Sequence, residues 1–390
     1  MFKIAAINKI ANCATALLPD DKYTLENSDS IGNAEAVLVR SAPMHDIPPT
    51  GELLCVARAG AGVNNIPIDK YAEKGIVVFN TPGANANAVK ELVLLGLLIS
   101  SRKVTAAIDW SKDLKGQGDA VGKLVEKGKS QFTGPEISGK TLGVVGLGAI
   151  GVRVANAAVS LGMTVLGYDP FISVNAAWEL KGNVKHVTNL AEIYADCDYI
   201  SLHVPVNADT KGMISAESIA LMKEEVRILN FARGELVDNA DIIAALEDGK
   251  VAAYVTDFPS DALIGVDGVV ALPHLGASTP ESEDNCAKMA VNEIREYLEE
   301  GNIVNSVNFP AVSAPRAGKR VCVIHKNIAN TLSQISGAFS AKGINIENML
   351  NKSKGENAYT ILDIIEDGDV DAAADVIRQI EGVIKVRVIK

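Results

Sequence analysis

The stretch "KTLGVVGLGAIG", residues 140–151, most constrains how this chain folds. An apolar run leads into Gly146, Gly148 and Gly151, spaced as G-x-G-x-x-G, and a helical pattern follows. The three glycines have separate tasks: a tight turn, close approach of the backbone to a phosphate, and packing of the helix against the strand. Unpaired N–H groups and the helix dipole favour an anion at the start of that helix. The segment therefore predicts a strand–turn–helix unit that binds the pyrophosphate of a dinucleotide.

Asp169 supports this interpretation, because it ends the next apolar run, 18 residues beyond Gly151. A carboxylate there accepts hydrogen bonds from the ribose hydroxyls and repels the additional phosphate of NADP. The predicted cofactor is therefore NAD, held by the glycine turn with Ala149 and Ile150. A structural strand–turn–helix unit without a ligand is the alternative.

Length and composition narrow the class of protein. A chain of 390 residues is expected to form about two or three domains. The net charge of −11 argues against a nucleic-acid partner, and five cysteines without a CxxC pair argue against a disulfide framework or a metal site. The longest apolar run, 92–99, is too short to span a membrane, and the N-terminus lacks a signal-peptide pattern. We expect a cytoplasmic enzyme or binding protein, and cations converging in a cleft would suit a small anionic substrate.

Apolar runs alternate with helical patterns, which predicts an α/β protein with two Rossmann-like, doubly wound parallel-sheet domains. After a strand at the N-terminus, strands are predicted at 36–40, 53–60, 76–80, 163–169, 198–205, 226–232, 251–258 and 268–274. A long helix is predicted over 84–110, with Asn85 or Asn87 at its start, and a mobile surface segment over 111–135.

A different pattern begins near the C-terminus. The helix over 279–301 is predicted to start with Thr279 as its N-cap and Pro280 in its first position. After a linker-like stretch at 308–318, the order strand, helix, strand, strand, helix, strand predicts a small βαββαβ domain. Its later elements are predicted at 330–343, 344–353, 358–367, 369–382 and 384–390.

The stretch "ALPHLGAST", residues 271–279, places His274 directly after the last strand of the second predicted sheet. Open α/β sheets bind ligands at the carboxyl ends of their strands. An imidazole titrates near neutral pH and therefore suits the removal of a hydroxyl proton. A packed or solvated loop histidine is the alternative.

With "VVGLGAIG", "NFARGELVD" and "LPHLGAST" in this order, the chain resembles the D-2-hydroxyacid dehydrogenases. The stretches "LVRSAP", "ARAGAGVNNI" and "VVFNTPGAN" extend the resemblance, and the C-terminal unit resembles an ACT domain. This combination resembles the 3-phosphoglycerate dehydrogenase branch, which implies NAD-dependent oxidation of 3-phosphoglycerate to 3-phosphohydroxypyruvate, the first step of serine biosynthesis. A dehydrogenase for glycerate, lactate or 2-hydroxyglutarate is one alternative, and a non-catalytic NAD-sensing protein is another.

The resemblance also implies a domain organisation. Residues 1–92 and 283–312 would form a discontinuous substrate-binding domain, and residues 93–282 the NAD-binding domain. Residues 313–318 would be a linker to an ACT-like regulatory domain at 319–390. A homodimer or homotetramer is implied, joined through the NAD-binding domain or through paired ACT sheets.

In that family, the histidine of this loop is the base and the arginine of "NFARGE" binds the substrate carboxylate, which gives these roles to His274 and Arg233. The family usually pairs the histidine with a glutamate in a stretch similar to "DVFxxEP". This chain has "TDFPSDAL" instead, with Asp261 at the expected position of the acid. We expect Asp261→Asn to lower the efficiency of substrate oxidation on the basic side of the pH–rate profile. The alternative is that Asp261 is a solvated acid of the loop. Lys90, where a small residue is usual, would bind a substrate anion or assist proton transfer, or is simply a solvated lysine.

The remaining site residues are implied by the same resemblance. Further cofactor contacts are implied at His203, Pro205, Ala232, Asp257 and Gly276. Substrate contacts are implied at Arg40 and Ser41 for the phosphate, Ala61 and Gly62 for the carboxylate, and Asn85, with Arg58 and Lys129 as looser matches. A serine effector is implied at His325, Asn327 and Asn345. Because Ala329-Asn330 replaces the family's Pro-Gly turn, an ACT domain that only assembles subunits stays open as the alternative.

Overall fold

The computed structural model describes residues 1–8, 10–365 and 368–390. The chain divides into two compact units, Met1–Asn85 with Pro280–Lys390, and Ala86–Thr279. The sequence placed the corresponding boundaries a few residues later, at 92 and 283. Two parallel sheets and one antiparallel C-terminal sheet confirm the predicted fold class.

The regular elements alternate along most of the chain. The strands are β1 Phe2–Ile7, β2 Tyr23–Asn27, β3 Ala36–Val39, β4 Cys55–Arg58, β5 Val77–Phe79, β6 Thr141–Val145, β7 Thr164–Tyr168, β8 Val184–His186, β9 Tyr199–Leu202, β10 Val226–Asn230, β11 Val251–Thr256, β12 Val269–Ala271, β13 Lys319–Lys326, β14 Asn348–Lys354, β15 Asn357–Ile364 and β16 Val383–Ile389. The helices are α1 Asn12–Thr15, α2 Ile68–Glu73, α3 Ala86–Arg102, α4 Val104–Lys112, α5 Val121–Gly128, α6 Ala149–Ser160, α7 Val174–Glu179, α8 Leu190–Asp196, α9 Ala216–Ala220, α10 Asn239–Glu247, α11 Pro280–Arg295, α12 Thr331–Ser340 and α13 Val370–Ile377.

The first unit contains a five-stranded parallel sheet in the order β2-β1-β3-β4-β5. β3 and β4 are buried along most of their length, as expected for continuous apolar runs in a parallel sheet. α11 packs against α1 and β4, begins at Pro280 as predicted, and continues as a π-helical turn over Glu296–Glu300. The sequence missed β2, because this edge strand is only partly buried and has no continuous apolar run.

The second unit contains a seven-stranded parallel sheet in the order β12-β11-β10-β9-β6-β7-β8. Chain order reverses between β6 and β9, and ligands of open α/β sheets bind outside the carboxyl ends of the strands at such a point. The short, half-exposed edge strand β8 was not predicted, because it has no apolar run.

The chain after β5 differs from the predicted elements at two places. The helix predicted over 84–110 is interrupted at Lys103, whose φ of +37° ends α3 and starts α4. The segment predicted to be mobile and at the surface, 111–135, has no buried residue but contains α5 and two 3₁₀ turns at Gly118–Ala120 and Lys129–Phe132. The ring of Phe132 contacts the ring of Trp110 in α4, with 5.4 Å between centroids. This segment therefore packs against an aromatic residue that precedes it.

The C-terminal βαββαβ module forms an antiparallel sheet in the order β14-β15-β13-β16. α12 and α13 cover one face of this sheet. The opposite face shares a continuous apolar core with the first unit, in which Cys322 and Tyr359 join Cys55 and Tyr297. The module is therefore an integral part of the first unit. The predicted strand 358–367 ends at Ile364 in β15, and its last two positions, 366 and 367, lie outside the described residues.

Polar contacts reinforce this junction. The fully buried guanidinium of Arg320 donates to both carboxylate oxygens of Asp363, at 2.6 and 2.9 Å. It also donates to the carbonyls of Glu300, Ala314 and Pro315. The stretch predicted as a linker is therefore held against the C-terminal sheet.

Candidate active site

The glycine turn lies at the point where the second sheet reverses its strand order. Gly146 has a φ of +93°, and a Cβ there would lie 2.6 Å from the carbonyl oxygen of His203. A Cβ on Gly151 would lie 1.9 Å from the oxygen of Gly146, so the start of α6 approaches the turn too closely for a side chain. A Cβ on Gly148 would meet no other atom of the described chain within 4 Å. The turn thus has the tight backbone, close packing and open space that a dinucleotide requires.

Asp169 and His203 flank this turn. The two carboxylate oxygens of Asp169 accept hydrogen bonds from the N–H groups of Leu147 and Phe171, each at 2.8 Å, which orients the carboxylate. Each oxygen keeps a further lone pair for a ribose hydroxyl. The Nε2 of His203 lies 2.9 Å from Ser201 Oγ, and its buried Nδ1 has no partner among the described residues. Burial lowers the pKa of His203 to about 4. These residues fit NAD.

A second group of side chains lies at the ends of β10, β11 and β12 and centres on Asp257, which is 1% exposed. Its Oδ2 accepts a hydrogen bond from the N–H of Gly276 at 3.2 Å, and its Oδ1 has no partner in the described part of the chain. Burial raises the pKa of Asp257, whereas the positive charges of His274 and Arg233 act to lower it. Arg233, Asp257 and His274 follow the neighbouring strands β10, β11 and β12, so the two residues predicted for catalysis lie at the same edge of the sheet as this buried carboxyl group.

The loops around Asp257 are fixed by residues that the sequence did not single out. The side chain of Asn230, fully buried at the end of β10, donates to the carbonyl of Arg233 at 2.8 Å and accepts from the N–H of Ala232. The ring of Phe258 contacts the imidazole of His274 at 4.8 Å between centroids. Asn230 is an amide at the end of an apolar run, which was the available signal.

Asp261 and Lys90 do not join this group through any described contact. Asp261 is exposed, and no hydrogen bond or ion pair within residues 10–365 links it to His274. Asp257, four residues earlier, is buried, and the charge of His274 acts to lower its pKa. Lys90 lies 3.5 Å from Glu91, with 19% of its side chain exposed.

The residues predicted to bind substrate in the first unit lie after β3, β4 and β5. Arg40 forms an ion pair with Glu283 at 2.7 Å, and both side chains are partly exposed. Arg58 donates to the carbonyl of Gly62 at 2.6 Å, which braces the loop after β4. The Ala61 carbonyl accepts a hydrogen bond from the side-chain amide of Asn80 at 2.6 Å. Ser41 is exposed, and Asn85 is half-buried.

Comparison with known proteins assigns the chain to a family. Residues 96–276 match the family described as "D-isomer specific 2-hydroxyacid dehydrogenase, NAD binding domain". The chain is 33% identical over 341 residues to the D-3-phosphoglycerate dehydrogenase of Escherichia coli K12, which covers 84% of this chain and 79% of that enzyme. The chain belongs to the D-isomer-specific 2-hydroxyacid dehydrogenase family. It is an NAD-dependent dehydrogenase.

Two further members of the family show the same relationship. The D-3-phosphoglycerate dehydrogenase of Methanocaldococcus jannaschii is 35% identical over 300 residues, which span 75% of this chain and 55% of that enzyme. The NAD⁺-bound 3-phosphoglycerate dehydrogenase structure from Entamoeba histolytica superposes with a TM-score of 0.59 at 28% identity, covering 79% of this chain and 98% of that one.

The residues matched to the family's serine site have different surroundings. His325 is 2% exposed on β13, with Nδ1 at 2.8 Å from the Lys326 carbonyl and Nε2 at 2.9 Å from Thr360 Oγ1. Asn327 and Asn345 are exposed. Asn330 has a φ of +67°, a left-handed conformation that asparagine adopts more readily than most residues.

Three other predicted positions have simple surroundings. Lys129 forms an ion pair with Glu126 at 2.5 Å on the surface of the second unit. The carbonyl of Pro205 accepts a hydrogen bond from Thr210 Oγ1 at 2.6 Å. Gly276 is buried, and a Cβ there would lie 3.3 Å from Asp257 Oδ2.

None of the helices in the described part of the chain has the length and apolar content to cross a membrane.

Proposed function

We propose that this dehydrogenase oxidises 3-phosphoglycerate to 3-phosphohydroxypyruvate with NAD, the first step of serine biosynthesis. The observation that carries the catalytic part is that Arg233, Asp257 and His274 follow the neighbouring parallel strands β10, β11 and β12 at one edge of the sheet. The charges of His274 and Arg233 act there on the buried carboxyl group of Asp257. Similarity to D-3-phosphoglycerate dehydrogenases over most of the chain supports the choice of substrate. The cationic side chains of Arg40 and Arg58 in the first unit suit a phosphorylated acid.

The proposed chemistry divides the work among a few residues. Bound NAD would supply the acceptor for the hydride that leaves the substrate carbon. The Gly146–Gly151 turn would hold its pyrophosphate, and Asp169 its ribose hydroxyls. A ring nitrogen of His274 accepts the hydroxyl proton, and the carboxylate of Asp257 stabilises the imidazolium that forms. Arg233 donates hydrogen bonds to the substrate carboxylate and carbonyl.

The substrate is tested by measuring NADH formation with 3-phosphoglycerate, glycerate, lactate and 2-hydroxyglutarate, each with NAD and with NADP. We expect the highest kcat/KM with 3-phosphoglycerate and NAD. A higher value with an unphosphorylated acid would make the chain a different member of the family. Absence of turnover with every acid would favour an NAD-sensing protein.

Arg40 tests the phosphate assignment separately. Loss of a charge-assisted hydrogen bond costs about 1.5–3 kcal/mol, so Arg40→Met is expected to lower kcat/KM for 3-phosphoglycerate by roughly 10- to 150-fold. Glycerate, which has no phosphate, should be unaffected. Lys112→Met is the matched control, because Lys112 is another exposed cation paired with an acid. Equal losses for both substrates would remove Arg40 from phosphate binding.

We also propose a regulatory and an assembly role. Asn327 and Asn345 are exposed on the C-terminal module, where they are accessible to L-serine, whereas His325 supports the site from within the sheet. Inhibition by millimolar serine tests this role, and unchanged rates would leave the module with an assembling role. We also propose that the enzyme is cytoplasmic and forms a homodimer or homotetramer. Light scattering measures the molar mass of the assembly and thus tests the oligomeric state.

A further inference from the structure

A buried carboxyl group on α11 has no part in the chemistry proposed above. Glu293 is 5% exposed, and its Oε1 accepts a hydrogen bond from the side-chain amide of Asn305 at 2.6 Å. Its Oε2 is buried and has no hydrogen-bond partner in the described part of the chain. Removing a carboxyl group from water in this way costs free energy.

Asn305 connects Glu293 to the loop after β5. The backbone N–H of Asn80 donates to the carbonyl of Asn305 at 3.3 Å. The side chain of Asn80 in turn donates to the carbonyl of Ala61 at 2.6 Å. Three hydrogen-bonded residues therefore lead from the buried carboxyl group of Glu293 to the loop after β4.

The last link fixes the direction of an N–H group. A peptide unit is planar and trans, so its N–H points opposite to its C=O. Holding the Ala61 carbonyl thus sets the direction in which the Gly62 N–H points. Arg58 holds the following carbonyl, that of Gly62, at 2.6 Å. Both peptide groups of this turn are anchored from the protein side.

The segment that carries Asn305 is itself held along the free edge of β5. The side chain of Asn308 accepts from the N–H of Val78 at 3.0 Å and donates to the carbonyl of Ile76 at 2.9 Å. Ser306 forms an isolated bridge with Phe79. This segment is fixed at 306–308, and Glu293 holds the side chain of Asn305 at its start.

We propose that Glu293 is a positioning residue for substrate binding. Through Asn305 and Asn80 it orients the Ala61–Gly62 peptide, whose N–H binds the carboxylate of the substrate. This inference rests on the proposed function for the role of Ala61 and Gly62. Burial raises the pKa of Glu293 to about 8, so the group is a neutral acceptor at pH 7.

Two substitutions at one position separate positioning from simple packing. Glu293→Gln keeps a neutral carbonyl acceptor for Asn305, and we expect its KM to stay within twofold of the wild type. Glu293→Leu keeps the approximate size but removes the acceptor, and we expect KM to rise about tenfold with kcat and the Kd for NADH unchanged. A residue with only a packing role would lower the fraction of folded enzyme without this split between KM and kcat.

Asn80→Ala removes the last link without touching the buried carboxyl group, and it serves if Glu293→Leu does not fold. It should raise KM by a similar factor. Because the two residues act in series, the double variant should resemble the single variants. An unchanged KM in Asn80→Ala, or losses that multiply in the double variant, would overturn the proposal.

The test does not depend on the identity of the substrate. KM is measured with whichever 2-hydroxy acid the wild type oxidises fastest, so inactivity toward 3-phosphoglycerate refutes only the proposed function. Amide hydrogen exchange of residues 60–63 gives a readout without turnover. We expect faster exchange there in Glu293→Leu than in Glu293→Gln, and equal rates would contradict the proposed link.

Discussion

Replacing each glycine of the Gly146–Gly151 turn by alanine, one at a time, separates the three tasks inferred for them. At Gly151, a Cβ would lie 1.9 Å from the Gly146 oxygen, about 1.4 Å closer than an ordinary contact between carbon and oxygen. Both groups are fixed by the backbone, so α6 would have to move away from β6. Overpacking of this kind costs roughly 1–3 kcal/mol, and more where the backbone cannot relax.

The other two glycines should behave differently. At Gly146 the φ of +93° places alanine in a left-handed conformation that costs roughly 1–2 kcal/mol, in addition to a 2.6 Å contact with the His203 oxygen. At Gly148 the φ is −77° and a Cβ meets no described atom within 4 Å. Gly148→Ala should therefore leave the free energy of unfolding within about 1 kcal/mol of the wild type.

Thermal unfolding without cofactor and fluorescence titration with NADH measure the two effects separately. We expect Gly151→Ala and Gly146→Ala to lower both Tm and NADH affinity. Gly148→Ala should keep the wild-type Tm but raise the Kd for NADH at least tenfold, because its methyl group occupies the space that the pyrophosphate needs. Wild-type affinity in Gly148→Ala, or a loss of Tm equal to that of Gly151→Ala, would refute the assignment of tasks.

Four further predictions concern charged and titratable groups. Asp257→Asn should lower kcat/KM by roughly 10- to 100-fold, because it removes the carboxylate that interacts with His274 and Arg233. Asp261→Asn should change kcat/KM by less than about threefold, and steady-state kinetics that show the opposite order would restore the pairing expected from sequence. Arg320→Met should lower the free energy of unfolding by roughly 3–5 kcal/mol, since it leaves Asp363 buried without its cation, and Arg320→Met with Asp363→Leu should recover part of the loss in denaturant titrations. The pKa of Glu293, about 8 in the folded chain against an ordinary 4.5, means that the folded state binds more protons between these values, so stability should fall as pH rises through this window. Glu293→Gln should flatten that part of the curve of Tm against pH, and an unchanged slope would show that Glu293 does not titrate there.

Several features of this enzyme follow from short stretches of sequence. The G-x-G-x-x-G turn, Asp169 after the next strand, and the apolar runs of both parallel sheets are local patterns with periods and spacings set by the backbone. His274 was singled out because it follows a predicted strand, and Arg233 because "NFARGE" resembles a motif of the family. Such signals are available without tertiary contacts because backbone geometry sets them within about ten to twenty residues.

Other features required contacts between distant parts of the chain. Asp257 was assigned to the cofactor, and Asp261 to His274, because sequence position does not show which of the two carboxyl groups becomes buried. In the sequence, Glu293 is one acid among several in the helix over 279–301. Only the fold places it beside Asn305. The same holds for the junction of the C-terminal module with the first unit, where Arg320 contacts carbonyls from residues 300 to 315.

The division has a physical reason. Strand and helix patterns depend on backbone geometry over a few residues, so a sequence states them directly. Burial, and with it the partner and protonation state of a carboxyl group, depends on which surfaces exclude water after folding. Asp257 and Asp261 are four residues apart and chemically identical, and only the packing of the strand ends buries one of them and leaves the other exposed.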